Sequence, residues 1–395
     1  MKIVYLSNNF IEGNGGGNFA TRAFVNAFSE IANECILFYP DKGQNIKEFV
    51  SEKTILKGIS NTNSNLVKLF KIYTGKINWY STKVLSLIKT YNPDIVIFDG
   101  SRTSFGLIKK IKSQGKKVIT VHHNYEIEYF KGTQPPFLWR IPFMFYMKIA
   151  ERDSVILSDL NLTLTDQDLH LLQFHYDTQK VANIEKLGCF ESDSTIFSYE
   201  NIVDQNMLNL KNNLCFVLTG SLGSYQTEIS VLPFLENEYP ELIKRFPQSK
   251  LIIAGSNPSN KLTTICSSFP SIELIPNPEN MQEVIDQADI YICPTCVGGG
   301  LKLRVMDGLK AGLPVLTHSV SARGYDDFIK AGILYVYYDK NSFITNLEKI
   351  VAGIHINKFN KKMIQELYIS LFSFDAGVTR LKKILEDKQI LNTNF

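Results

Sequence analysis

Short apolar runs alternate with helical spacing along both halves of the chain. Ile3 to Leu6 reads as a buried strand, Phe19 to Ile31 as a helix and Cys35 to Tyr39 as a second strand. Asp94 to Phe98 and Lys117 to Val121 repeat the strand pattern, with helical spacing at Leu107 to Ile111 between them. Asn161 to Leu164 reads as a further strand, followed by a helix that Thr165 or Asp166 would cap, and Val181 to Leu187 closes the series near Gly188. A polar, weakly patterned stretch, Glu191 to Asn213, interrupts the alternation. A second series then runs through a strand at Leu214 to Thr219, a helix at Ile229 to Phe246, and strands at Lys250 to Ala254 and Ile272 to Ile275. It continues with a helix at Met281 to Gln287, a strand at Ile290 to Cys293, a helix at Leu301 to Ala311 and a strand at Pro314 to Thr317. Helical spacing returns over Phe374 to Leu391.

Strands separated by helices pair in parallel through right-handed crossovers, because only a crossover can join parallel neighbours. The expected fold class is therefore α/β, with two doubly wound, Rossmann-like parallel-sheet domains facing across a cleft. Its expected organisation is an N-terminal domain over 1–188, a linker over 189–212, a C-terminal domain over 213–373, and a helix in 374–395 able to pack on either domain, the N-terminal one included. Ligands of such sheets bind beyond the carboxyl ends of the strands, so the strand-end loops carry the candidate chemistry.

Composition leaves this picture intact and narrows the function. A length of 395 residues suits two domains, and 44% hydrophobic with 21% charged residues excludes disorder, collagen and disulfide scaffolds. The net charge of +3 excludes a uniformly basic nucleic-acid binder, so no nucleic-acid partner is expected. That small figure hides an asymmetry: residues 51–150 hold 16 Lys and Arg against 5 Asp and Glu, and residues 151–200 hold 3 against 10. The basic stretch includes Lys109, Lys110, Lys112, Lys116 and Lys117 and is followed by aromatic-rich sequence containing Phe137, Trp139, Phe143, Phe145 and Tyr146. Such a combination suits the anionic inner leaflet of a membrane; the alternative is a solvated face and a core helix. No apolar run reaches the ~18–20 residues that span a bilayer; the nearest, Pro135 to Ala150, is broken by Arg140 and Lys148.

The N-terminus lacks the pattern of a signal peptide, and the six cysteines are scattered, which points to a reducing cytoplasm. Cys293-Pro-Thr-Cys296 has CxxC spacing but ends a strand and has no second pair or His cluster to complete a zinc site, so structural thiols are expected.

Four strand-end segments stand out. Gly13-Asn14-Gly15-Gly16-Gly17-Asn18 leads into a helix, where backbone N–H groups can approach an anion. A dinucleotide fingerprint would need G-x-G-x-x-G directly after the strand; here Asn18 stands where the third glycine belongs, which argues against a dehydrogenase. His122-His123-Asn124-Tyr125-Glu126 places two imidazoles, an amide and a carboxylate at a strand end, suited to sugar hydroxyls or to proton transfer near neutral pH. Thr219-Gly220-Ser221 leaves room for a phosphate, though glycine is also common turn punctuation. In Pro294 to Pro314, Gly298-Gly299-Gly300 precedes a helix expected to begin near Leu301, with Lys302 and Arg304 in or near its first turn. Cations there oppose the helix dipole unless they face a bound anion such as a diphosphate. Asp307 is either a salt-bridge partner of Arg304 three residues away or a group for ribose hydroxyls.

At this last segment the chain resembles the retaining glycosyltransferases of family 4, on the GT-B fold. The resemblance rests on Gly298-Gly299-Gly300, Asp307-Gly308-Leu309-Lys310-Ala311-Gly312 and Pro314-Val315, and extends to Gly15-Gly16-Gly17, to His123-Asn124-Tyr125-Glu126 and to the strand before Pro294. It implies a metal-free, cofactor-free transferase whose donor substrate is a nucleotide-diphosphate sugar and whose acceptor is a glycan or a lipid-linked oligosaccharide of bacterial surface polysaccharide assembly. It implies a donor site including Gly16, Gly17, Gly220, Ser221, Gly299, Gly300, Leu301 and Asp307, with Lys302 and Arg304 on the leaving diphosphate. His123, with His122 beside it, would serve the transferred sugar, and Asn124 and Glu126 the acceptor side. Two positions depart from the family pattern: Gly299 stands where the first of two acids usually lies, and no cation occurs from Gly220 to Glu228. The first departure keeps open a catalytically silent subunit or glycan-binding partner of another transferase; an epimerase on the same fold is a third reading.

Overall fold

The structure is a computed structural model that describes all residues except 14, 61–64, 75–80, 134–136, 178, 180–181, 194–212 and 392–395. Asn14 of the glycine loop, Pro135, Val181 and positions 194–212 of the expected linker therefore lie outside the described residues. The chain divides into two compact units, Met1–Phe197 with Leu371–Phe395, and Ser198–Ser370.

Among the described residues the first unit holds seven strands: β1 (Lys2–Ser7), β2 (Glu34–Asp41), β3 (Thr54–Ser60), β4 (Ile95–Asp99), β5 (Lys117–His122), β6 (Leu160–Thr163) and β7 (Ile184–Lys186). All pair in parallel in the order β3-β2-β1-β4-β5-β6-β7. Val4, Ile36, Phe38, Val96, Phe98 and Val118 pack one sheet face against Val84, Ile88, Leu107 and Ile111. Burial of such side chains is worth about 1.5–3 kcal/mol each and fixes the register, since a one-residue slip would turn the apolar set outward. Strand β3 gives no continuous apolar run because it sits at the sheet edge, with Ile55 exposed.

The helix Phe374–Asp387 belongs to this first unit. Ser373 caps it by accepting from the Ala376 N–H, and Phe374, Val378, Leu381 and Leu385 form its buried stripe. Gly377 lets it close on Phe190: a Cβ there would lie 2.1 Å from Phe190 Cγ. The Arg380 guanidinium donates to the carbonyls of Leu187, Cys189 and Leu371, so Cys189 and Phe190, where the linker was expected to start, are buried parts of the unit. The helix Phe137–Leu157 contains Pro142, and among the described residues no helix is long and apolar enough to cross a membrane.

The second unit has six parallel strands, β8 (Cys215–Ser221), β9 (Lys250–Ser256), β10 (Ile272–Pro276), β11 (Ile290–Cys293), β12 (Val315–His318) and β13 (Leu334–Tyr337), in the order β10-β9-β8-β11-β12-β13. Two helices differ from expectation. The segment Ile229 to Phe246 forms two, Tyr225–Asn237 and Tyr239–Arg245, because Pro240 cannot donate a helical hydrogen bond and is instead seated in the first turn of the second helix. The helix expected from Leu301 begins at Arg304: Gly298 and Gly300 have φ of 88° and 69°, which keeps the preceding residues in a loop.

Candidate functional site

Each sheet reverses its strand order once, between β1 and β4 in the first unit and between β8 and β11 in the second. Loops on either side of such a point leave in opposite directions, opening a crevice at the carboxyl strand ends. The residues with candidate chemistry gather at these two places.

In the first unit, β1 and β4 end in register at Ser7 and Asp99. The Asp99 carboxylate is buried and accepts from Tyr5 Oη (3.0 Å), Ser7 Oγ (2.6 Å), Asn9 Nδ2 (3.3 Å), Thr21 Oγ1 (2.7 Å) and His123 Nε2 (2.6 Å). Burial pushes its pKa up, but the His123 imidazole and the hydroxyl donors outweigh that and hold it below the usual carboxylate range. The His123 pKa is correspondingly raised: burial lowers it, and the Asp99 charge and hydrogen bond more than restore it. Because Asp99 accepts at Nε2, that nitrogen carries a proton, and Nδ1 is the atom without a hydrogen-bond partner among the described residues. Phe24 packs edge-on against the imidazole at 5.8 Å, and Phe190 against Phe24 at 5.5 Å.

Around His123, the Asn124 side chain bonds Glu126, and Arg102 lies close enough to favour the charged form of that acid. Burial dominates and raises the Glu126 pKa. Gly16 and Gly17 are the first residues of the helix Gly16–Ile31 and not a loop, as the sequence had implied. Their turn reaches Asp99 through Thr21, which sits one turn on. His122 is placed differently. It is 1% exposed, its Nε2 meets Asn161 Oδ1 at 3.0 Å, and burial drives its pKa down to about 4, so it is a neutral core residue set apart from the solvent-reaching groups.

In the second unit, Arg304 opens the helix Arg304–Lys310 and sends its guanidinium across the end of β8. Its Nη1 meets Thr295 Oγ1 at 3.2 Å and its Nη2 meets Thr227 Oγ1 at 3.1 Å. A Cβ on Gly220 would fall 2.8 Å from Arg304 Cζ, so this cation lies directly against the end of β8, where the sequence itself supplies none. Lys302 precedes the helix, contrary to its expected place in the first turn, and its Nζ bonds the Gly299 carbonyl at 2.7 Å. Tyr325 Oη holds the Lys302 carbonyl at 2.9 Å. Gln226 Nε2 lies against Gly298 beside Lys302 Nζ, buried and without a partner among the described residues. Gly299 and Gly300 are buried, Leu301 is half-buried and Ser221 is exposed. Asp307 is exposed in the first helical turn. Gly308 lets this helix rest on Tyr291, whose ring a Cβ would meet at 2.5 Å.

The structure thus brings together Gly220, Gly299, Gly300, Lys302 and Arg304, with Leu301 and Ser221 alongside. Two cations and an amide around glycine-lined backbone suit an anion with several oxygens. Sequence reading overlooked Asp99, Asn9, Arg102, Thr227, Gln226 and Thr295. Asp99 carried a signal, an acid placed directly after a wholly apolar strand and before Gly100. All six cysteines are free, with the buried Cys35 and Cys189 thiols pushed up to about 12. Among the described residues, no group of three or more His, Cys, Asp or Glu is placed to hold a metal ion.

Residues 215–352, which contain this second cluster, match the family model described as glycosyl transferases group 1. A curated relative, an uncharacterized 44.6 kDa protein in the cps region of Klebsiella pneumoniae, is 28% identical over 176 residues, covering 42% of this chain and 44% of that protein. Among solved structures, WaaG, a glycosyltransferase involved in lipopolysaccharide biosynthesis, matches 97% of this chain and 99% of its own, with a TM-score of 0.64 and 13% identity. Anabaena HepE in complex with UDP and glucose matches 98% of this chain and 99% of its own, with a TM-score of 0.65 and 10% identity. These likenesses establish the GT-B fold, with two Rossmann-like parallel-sheet units.

Proposed function

We propose that this chain, whose residues 215–352 carry the glycosyl transferases group 1 module, transfers a sugar from a nucleotide-diphosphate sugar to a glycan or lipid-linked acceptor. The observation that carries the reading is the cluster within that module, with Arg304 laid over Gly220 between Thr227 and Thr295 and with Lys302 beside it. The complex of HepE with UDP and glucose supports a nucleotide-sugar donor. The cps-region relative and WaaG support a place in bacterial-type surface polysaccharide or glycoconjugate synthesis.

In this reading Arg304, Lys302 and the backbone N–H groups around Gly220, Ser221, Gly299, Gly300 and Leu301 hold the diphosphate. They gain most as negative charge develops on the leaving group, so they lower the barrier as well as the binding energy. Asp307 takes the ribose hydroxyls. His123, its Nε2 proton committed to Asp99, is assigned to the transferred sugar, and Gly16 and Gly17 are assigned to the phosphate side. Asn124 and Glu126 face the acceptor, and His122 supports the strand end from the core. The acceptor hydroxyl attacks on the leaving group's face with retention, its proton passing to the departing phosphate oxygen, and no metal ion is required.

A thermal-shift screen of nucleoside diphosphates and their sugars tests the donor. A ligand at 100 times its Kd raises folded-state stability by about 2.7 kcal/mol. Release of nucleoside diphosphate by the wild type, with Arg304→Ala, Lys302→Ala and Asp307→Ala as comparisons, tests the chemistry. Turnover indifferent to all three changes would remove the site assignment. Gly299, at the place of an expected acid, favours a second reading, a silent donor-binding subunit, which predicts a thermal shift with no turnover.

A further inference from the structure

The helices Asn65–Tyr73 and Phe137–Leu157 of the first unit both turn apolar side chains to solvent. Leu66 is 80% and Phe70 69% exposed, and Tyr73 continues the same face. On the second helix Leu138, Ile141 (65%) and Phe145 (60%) form a stripe at spacings of three and four. The two helices are tied where Tyr73 Oη donates to the Leu138 carbonyl at 2.9 Å. The core does not call for this stripe. The opposite face of the second helix already packs inward through Trp139, Phe143, Met147 and Ala150. A helix apolar on two faces, with only one of them buried, is poorly matched to water.

The charges around the stripe share one sign. Lys68 and Lys71 lie on the first helix and the exposed Arg140 and Lys148 on the second, while neither 65–73 nor 137–150 contains an acid. Of the nearest following acids, Glu151 is buried and accepts from the Glu126 N–H and Tyr176 Oη, and Asp153 is paired with Lys109 and Arg152. From apolar prongs set among cations we infer that this face docks on an anionic lipid bilayer. Apolar side chains enter the headgroup–acyl boundary while the cations meet lipid phosphates. Charge decides against a second copy of the chain, since pairing the face with itself would bring Lys and Arg against Lys and Arg. The inference does not depend on transferase activity and is tested without it.

Flotation of the full chain with vesicles of phosphatidylcholine, with and without phosphatidylglycerol, provides the test. The chain is expected to float only with the anionic vesicles and to be released by salt. Lys68→Gln with Arg140→Gln lowers the partition coefficient about 30-fold, at ~1 kcal/mol per cation near the surface. Phe70→Ser with Ile141→Ser abolishes flotation, whereas Ile356→Ser, in the second unit and 76% exposed, leaves it unchanged. Because all these side chains face solvent, thermal melts of the variants should match the wild type. Equal flotation with neutral vesicles, no flotation, or flotation untouched by the paired substitutions would overturn the inference. So would a monomer–dimer equilibrium in sedimentation that Phe70→Ser with Ile141→Ser abolishes.

Discussion

Replacing Asp99 by Asn tests the arrangement around His123 most directly. The wild-type carboxylate is a buried acceptor for Tyr5, Ser7, Asn9, Thr21 and His123. An amide keeps the shape but can accept on one atom only, and its NH2 group faces donors. With its oxygen at the Oδ1 position it still accepts from Tyr5 and His123, now without the charge, while the NH2 at Oδ2 meets Ser7 and Thr21, whose hydroxyls can rotate to accept. The main loss is therefore the charge-assisted bond to His123, worth about 1.5–3 kcal/mol. In a unit of this size that lowers Tm by about 3–12 °C. Asp99 is also what lifts the His123 pKa against burial, so without its charge the burial effect remains and the pKa should fall below the ordinary 6.5. Imidazole carbon–proton NMR spectra recorded against pH would show the midpoint moving from above that value to below it. If His123 serves the transferred sugar, kcat/KM should drop about 10- to 100-fold. Ser7→Ala, which removes one donor and leaves the charge, should cost about 1 kcal/mol and leave the His123 midpoint high. An unchanged midpoint in Asp99→Asn would refute the reasoning, whatever the rate.

Arg304→Ala should weaken nucleoside diphosphate binding about 10- to 150-fold by calorimetry, the loss of one charged hydrogen-bonding group. Gly220→Ala should do the same while keeping the charge, because its Cβ would fall 2.8 Å from Arg304 Cζ. Gly377→Ala would overpack Phe190 and should cost about 1–3 kcal/mol in denaturant titrations. Acid sensitivity should come first from His122, whose folded pKa of about 4 lies under its ordinary 6.5. Its neutral burial contributes fully above pH 6.5 and is lost as pH falls towards 4, about 3 kcal/mol in all, a slope that His122→Gln should remove. His123 acts in the opposite sense: its raised folded value contributes stability below pH 6.5, lost as pH rises through that value.

Much of the fold was legible because central parallel strands are buried on both faces and read as continuous apolar runs, as in β1, β4, β5, β8 and β11. The edge strand β3 was not, since Thr54, Lys57 and Ser60 interrupt its apolar residues; β13, the apolar and aromatic run Leu334–Tyr337, was simply passed over. Helix ends moved where local backbone overrode periodicity, at Pro240 and at Gly298 and Gly300. His123 and Arg304 could be picked out by residue type at a strand end. Their surroundings could not: Asp99 meets Ser7 across 92 residues, Thr21 across 78 and His123 across 24, and Arg304 meets Thr227 across 77.

Periodicity alone determined that this chain builds two parallel α/β sheets, because burial on one or both faces imposes its spacing on every element. Glycine, imidazole and cation placement determined where chemistry was available. Tertiary structure decided which groups act together. Strand order places β1 beside β4 in the first unit and β8 beside β11 in the second, so within each unit partners far apart in sequence meet at that unit's own strand ends. It also separated two adjacent histidines of identical composition, one neutral in the core on Asn161 and the other held by a buried carboxylate, because successive residues at a strand end point to opposite sides.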